Sequence, residues 1–229
     1  MNAVRARWDQ AEVLTACILG FVRDRRARSV LDIGAGRGLV AVPVAAAVKR
    51  YVAVEKEPSG AEALRAAGLD VVQGTFPVAL DERFDLVVSS HSIPEGDVAL
   101  YEPFLAGAWK LVASGGTLLI VTFKGSTESP IRKLSAELLG VTHGVDDRYT
   151  AMLRILREYG DVEITKTCSH VETDDFASFT DLWGSWFWRN DEQRAAIEPV
   201  LRAAADERFN VGGRYRVPEE HVVVATAKG

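Results

Sequence analysis

The chain has 229 residues, 48% of them hydrophobic, and carries 27 Lys and Arg against 32 Asp and Glu for a net charge of -5. This balance predicts one sizeable core and a single domain over residues 1–229, and argues against a nucleic-acid partner, which would need clustered cations to neutralise phosphates. Two cysteines far apart, Cys17 and Cys168, give neither a disulfide framework nor a metal-ligand spacing; no run reaches the roughly 18 apolar residues of a membrane helix, so the expectation is a soluble, cytoplasmic protein with no membrane partner.

Residues 1–28 read as an N-terminal helical segment. Trp8, Ala11, Leu14, Ile18 and Phe21 fall at three-to-four spacing, Asp9 stands near the start, and RDRRAR (23–28) reads as a solvated helix end. The pattern then changes to short strand–helix units. SVLDIG (29–34), YVAVE (51–55), DVVQG (70–74), FDLVVSS (84–90) and TLLIVTF (117–123) are strand-like apolar runs. Helices are predicted over 39–49, from Pro58 to a stop at Gly68, and from an Asp97 cap through LYEPFLAGAWKLV, where Pro103 marks a kink or a late start. Continuous apolar strands alternating with helices are the pattern of a parallel sheet covered on both faces.

The second half is less regular. ESPIRKLSAELLG ends a helix at Gly140, and VDDRYTAMLRILREYG puts Tyr149, Met152, Leu153, Leu156 and Tyr159 on one helical face. VEITKTCSHVE (162–172) reads as a strand, about 173–210 as a helical cap, and EEHVVVATAKG as a closing strand.

The stretch VLDIGAGRG (30–38) ends a strand in a glycine-rich turn, where backbone can approach a ligand closely. Its glycines, Gly34, Gly36 and Gly38, are spaced wrongly for the dinucleotide fingerprint, and the turn has no phosphate-loop lysine. The reversed Lys124-Gly125-Ser126 also lacks the loop that should precede it. Asp32 at the mouth of the turn would repel a pyrophosphate and attract an ammonium. Glu55, 23 residues on, ends the second strand and suits the two hydroxyls of a ribose. A ribose, a cationic amino-acid end and no phosphate together describe S-adenosylmethionine.

VLDIGAGRG, VAVEKEP, FDLVVSSHSIPE and LVASGGTLLIVTF, in this order, resemble the class I S-adenosylmethionine-dependent methyltransferases over about residues 29–125, and HVVVATAKG resembles their last strand. The resemblance implies an α/β fold: a doubly wound, mostly parallel seven-stranded sheet in order 3-2-1-4-5-7-6 with strand seven antiparallel. It also implies that Asp32 and the turn Gly34, Ala35, Gly36 and Gly38 hold the methionine end, that Glu55 holds the ribose, and that Ser89 and Ser90 offer carbonyls to the amino group. Where the family often has an acid for the adenine, this chain has VVQGTF. Gln73, Gly74 and Thr75 are the expected substitutes, Phe76 would pack on the ring, and Lys56 is a flanking candidate beside the adenine.

In-line methyl transfer needs alignment and exclusion of water more than acid–base help for the donor. His91, in SSHSIPEGD, is the candidate base for an acceptor that must lose a proton. Glu95 and Asp97 read as surface or capping residues, and His143, His170 and His221 as structural. No spacing suggests a metal. Trp183, Trp186 and Phe187 crowd one short stretch and cannot all face one helix side, so a lid over an apolar acceptor competes with packing against the sheet or the partner in a homodimer. The expectation is an enzyme methylating an oxygen or nitrogen of a small organic acceptor. The alternatives are a macromolecular target (tRNA, rRNA or protein) approached by RDRRAR with Arg154, Arg157 and Arg189, or a non-catalytic protein that binds the donor.

Overall fold

The structure, a computed structural model, describes residues 6–94, 97–123, 129–140 and 148–229; Glu95, His143 and Lys124-Gly125-Ser126, named above, lie outside the described residues. The elements in chain order are β1 (Ala6–Trp8), α1 (Gln10–Asp24), β2 (Ser29–Ile33), α2 (Ala41–Ala45), β3 (Arg50–Glu55), α3 (Pro58–Ala66), β4 (Asp70–Gln73), β5 (Phe84–Ser90), α4 (Tyr101–Lys110), β6 (Val112–Thr122), α5 (Pro130–Leu139), α6 (Arg148–Tyr159), β7 (Val162–Thr173), α7 (Phe176–Trp183), α8 (Asp191–Phe209), β8 (Asn210–Val211) and β9 (Arg214–Ala227). They form two compact units. One comprises Ala11–Phe123, Asp147–Thr167 and His221–Gly229; the other comprises Met1–Gln10, Lys124–Asp146 and Cys168–Glu220.

The strand order is β1-β7-β9-β6-β5-β2-β3-β4, with β8 paired to β9. Read from β4, the seven long strands follow the order expected from the resemblance, and β9 pairs antiparallel to β6. The short strands β1 and β8 are additions that the sequence reading missed. β2 pairs in parallel with both β3 and β5. A reciprocal link pins the start of that pairing: Asp85 Oδ2 accepts from the backbone N–H of Arg28 (2.7 Å) and Ser29 (3.0 Å), and Ser29 Oγ accepts from Asp85 N–H (2.9 Å).

The first unit packs both faces of its strands, which is why their apolar runs are unbroken. Leu31, Ile33, Val52, Val54 and Val87 face a cluster with Phe104, Leu105, Met152 and Leu156 from α4 and α6. The alternate residues Val30, Ala53, Leu86 and Val88 face Leu14, Ile18 and Val22 of α1 and Leu64 of α3. Each fully buried Leu or Ile contributes about 1.5–3 kcal/mol from apolar burial. The second unit has its own core, in which Phe179, wholly buried, meets Trp183, Phe209 and Tyr215.

Local differences from the expected elements have local causes. Trp8 is not on the buried face of a helix: it sits on β1 and is 51% exposed. Asp9, just before α1, accepts at Oδ1 from His170 N–H (2.6 Å). α2 is five residues long, not eleven, in a stretch of Val and Pro, which are poor helix formers. Asp97 does act as a cap, accepting from Ala99 N–H (2.8 Å), but it caps a 3-10 turn at Val98–Leu100. α4 starts afterwards at Tyr101, which puts Pro103 in its first turn, so the proline marks a late start and not a kink. Gly140, at φ 64, stops α5 in the left-handed conformation as expected.

Candidate active site

The glycine turn leaves β2 and meets the tips of β3 and β5. Gly34, Gly36 and Gly38 take φ of 79, 60 and 92, values that suit glycine. At Gly34 a second reason applies: a Cβ there would lie 2.3 Å from Ser92 Cβ, so the turn lies directly against the segment after β5. Ser92 Oγ donates to the carbonyl of Ile33 and sits 2.8 Å from Ser89 Oγ. A Cβ on Gly36 would meet nothing within 4 Å, so the backbone there borders open space.

Four of the N–H groups of this turn are spent internally. Gly34 and Ala35 donate to Val54 O, Gly38 to Ala35 O, and Gly36 to Glu55 Oε2 at 2.7 Å. This is not a nest of free donors of the kind that grips phosphates. It is instead lined by acid. Asp32 (6% exposed) and Glu55 (5%) are buried, and they share the strand face of Val30 and Ala53.

Glu55 accepts from Gly36 N–H through one carboxylate oxygen and from Glu57 N–H (2.8 Å) through the other. Each oxygen keeps a second lone pair for a hydroxyl donor. Asp32 accepts from the Tyr51 hydroxyl at Oδ2 (2.6 Å), and among the described residues its Oδ1 accepts no hydrogen bond. Burial pushes the Asp32 carboxyl up to about 6, against the lowering effect of Tyr51, and the nearby Glu55 charge adds to the rise. Burial and the Asp32 charge likewise raise the Tyr51 hydroxyl, which therefore remains a donor. A buried anion with an unused acceptor atom is a site prepared for a cation.

The other expected donor residues divide. Gly74 N–H donates to Glu55 O (3.0 Å), which ties the segment after β4 to the site. Phe76 is partly buried and meets Phe104 edge-on, with centroids 5.2 Å apart. Gln73 and Thr75 are exposed, and the Gln73 carbonyl is taken by Arg65. Lys56 is exposed and faces Glu57 at 3.8 Å. Ser89 is fully buried and pairs with Ile33 and Ile120; Ser90 follows at the strand tip.

His91 stands after β5 with φ 52, a left-handed value unusual for a bulky residue. Its N–H extends the β5–β6 ladder to Val121 O (2.9 Å), and its Nε2 lies 3.0 Å from His221 Nδ1. The residue is exposed overall, and its ring packs beside Phe123 and His221. Desolvation, and then the neighbouring His221, push its pKa down to about 4. A neutral imidazole of such low basicity is a hydrogen-bonding group at pH 7 and a poor proton acceptor, which weakens the general-base expectation.

The aromatic stretch resolves differently from a lid. Trp183 and Phe187 belong to the buried core of the second unit, so burial removes them from contact with an acceptor. Trp186 is 38% exposed, with the Arg132 guanidinium 4.4 Å above its ring. A 3-10 turn at Gly184–Trp186 breaks the helical period and sends adjacent aromatics in opposite directions.

Around the glycine turn and its acids the structure adds Tyr51, Ser92 and Gly60, which the sequence reading did not single out. Gly60 is required where it stands, since a Cβ would come 2.8 Å from Gly36 O and 3.0 Å from Glu55 Cγ. Its only sequence signal is its place one turn into a helix that follows the acid. Among the described residues, no group of three His, Cys, Asp or Glu could hold a metal ion, and no helix is long and apolar enough to cross a membrane.

A Rossmann-like sheet with acid at adjacent strand tips and a glycine turn with most of its donors spent internally is the arrangement of an S-adenosylmethionine-dependent methyltransferase, and comparisons with known proteins agree. The family described as methyltransferase small domain matches residues 6–147, and the chain belongs to that family. No curated protein sequence matches it. Among solved structures, the chain is similar to a candidate methyltransferase from Bacillus halodurans C-125, with TM-score 0.59, 21% identity and coverage of 93% of this chain and 98% of that one. It is also similar to the YcgJ protein of Bacillus subtilis (TM-score 0.57, 16% identity, 93% and 97% coverage). A third is precorrin-6y C5,15-methyltransferase from Geobacter metallireducens GS-15 (TM-score 0.53, 14% identity, 94% and 87% coverage). At these identities the likeness is one of fold.

The residues present fit this cofactor. Asp32 has a spare acceptor for an ammonium, Glu55 has lone pairs for sugar hydroxyls, and Gly36 borders open space.

Proposed function

We propose that this enzyme methylates an oxygen or nitrogen of a small organic acceptor in the cytoplasm, with the cofactor's amino-acid end at Asp32 and the Gly34–Gly38 turn and its ribose at Glu55. The observation that carries the reading is the pair of buried carboxylates at neighbouring parallel strand tips. S-adenosylmethionine supplies an electrophilic methyl group when bound. The chain's own contribution is then to bind, orient and keep water out, which accounts for most of the rate in such a displacement. Tyr51 keeps Asp32 directed, and Ser92 packs the segment after β5 onto the turn.

A small acceptor is supported by the net charge of -5 and by the exposed apolar side chains after β5 and β6, Val98, Leu100 and Phe123. The cysteines Cys17 and Cys168 are free, which suits a reducing compartment. Calorimetry with S-adenosylmethionine and with a nicotinamide dinucleotide tests the donor assignment, with binding expected for the first alone. A panel of small hydroxyl and amine acceptors, assayed for S-adenosylhomocysteine release, tests the acceptor class. Salt-sensitive methyl incorporation into RNA in place of any small acceptor would overturn it.

A further inference from the structure

Three rings meet beyond the tips of β5 and β6. His91, Phe123 and His221 have centroid separations of 4.4, 5.0 and 5.2 Å. His221 is fully buried, whereas Phe123 is 43% exposed and His91 is exposed. The backbone of His91 is held on both sides: its own N–H bonds to Val121 O, and the next residue, Ser92, packs on Gly34 of the glycine turn. The cluster is therefore anchored one residue from the turn and leans away from it, toward β6 and β9.

We propose that the exposed rings of Phe123 and His91 form the acceptor subsite for a planar aromatic compound bearing a hydroxyl group, with buried His221 as the positioning residue that orients the His91 ring. This rests on the methyl-transfer reading above and names its substrate class.

The chemistry follows from what the cluster offers and lacks. An exposed aromatic face beside a second ring favours a flat, polarisable partner in offset or edge contact. Among the described residues, His91 Nδ1 makes no hydrogen bond. The bond to His221 uses Nε2 as donor or as acceptor, so Nδ1 takes the complementary role. A phenolic hydroxyl can both donate and accept, and matches either tautomer. Among the described residues, His221 is the titratable neighbour whose charge acts on His91. The strained φ of His91 supports a functional role, since a glycine would adopt that conformation at lower cost.

The test uses the full chain loaded with S-adenosylhomocysteine and compares phenol, anisole and cyclohexanol by saturation-transfer NMR. Phenol is expected to bind about fivefold more tightly than anisole, the value of one net hydrogen bond of about 1 kcal/mol, and more tightly than cyclohexanol. Phe123→Leu should weaken phenol and anisole together. His91→Gly, which tolerates the left-handed backbone, should erase the preference between them. His221→Phe should also erase it, and should abolish the phenol-induced change in the ¹⁵N shift of His91 Nδ1, which a purely structural role would not affect. If His221→Phe fails to fold, the two surface variants still decide. Equal binding of phenol and anisole by the unaltered chain, or unchanged affinities in Phe123→Leu and His91→Gly, would overturn the proposal. Failure to bind S-adenosylhomocysteine would instead remove the donor reading, and the same phenol–anisole comparison without it still decides the subsite.

Discussion

Replacing Asp32 with Asn should make the ligand-free protein more stable at neutral pH and a poorer binder of its cofactor. Asp32 is 6% exposed, and its carboxyl is raised from 3.8 to about 6, chiefly by burial. Because the folded pKa lies above the unfolded one, the folded state holds more protons between pH 4 and 6. The group's contribution is therefore intact below pH 4 and is lost as pH rises through 6. At 1.36 kcal/mol per unit, the ionised side chain costs the fold about 3 kcal/mol at pH 7. Asn is nearly isosteric, is never charged, and keeps an oxygen to accept from Tyr51. Urea unfolding at pH 7 should show the variant more stable by about 1–3 kcal/mol, with Tm higher by several degrees. At pH 4, where the native carboxyl is also neutral, the difference should shrink to nearly nothing. Calorimetry should show S-adenosylmethionine binding weakened at least tenfold, as expected for losing a hydrogen bond to a charged group. A variant less stable at pH 7, or a stability gap unchanged at pH 4, would refute the claim that this acid is held at the cost of stability; undiminished affinity would refute its role at the cofactor.

Other outcomes follow from the same geometry. Glu55→Gln turns an NH2 toward one of two backbone donors and should cost about 1–3 kcal/mol in urea unfolding, together with a loss of cofactor affinity read by calorimetry. Gly34→Ala must displace Ser92 as well as strain the backbone, whereas Gly36→Ala meets only the backbone strain of about 1–2 kcal/mol; unfolding should rank Gly34→Ala as clearly the worse. Phe179→Ala should cost about 3–5 kcal/mol by emptying the centre of the second core. In an NMR titration, His91 should stay neutral down to pH 5, since its folded pKa lies near 4; a midpoint near 6.5 would remove the desolvation argument.

The amino-acid sequence by itself determined most of the sheet and the character of its ligand. Apolar runs such as SVLDI and FDLVVSS signal buried parallel strands whatever their neighbours, because both faces must be covered. Asp32, Glu55 and the glycine spacing carry chemistry that a linear reading can weigh, since repulsion of phosphate and attraction of an ammonium need no coordinates. What only the tertiary structure decided were pairings between residues far apart in the chain. Tyr51 finds Asp32, Gly60 makes room for Glu55, and His221 reaches back 130 residues to His91. The same holds where local signals mislead. Trp8 keeps helical spacing yet joins β7 as an edge strand, and Trp183 and Phe187, for which the sequence left a lid and packing in competition, lie in a core. An aromatic side chain gains as much by packing against protein as against a substrate, and only the positions of distant residues determine which partner it meets.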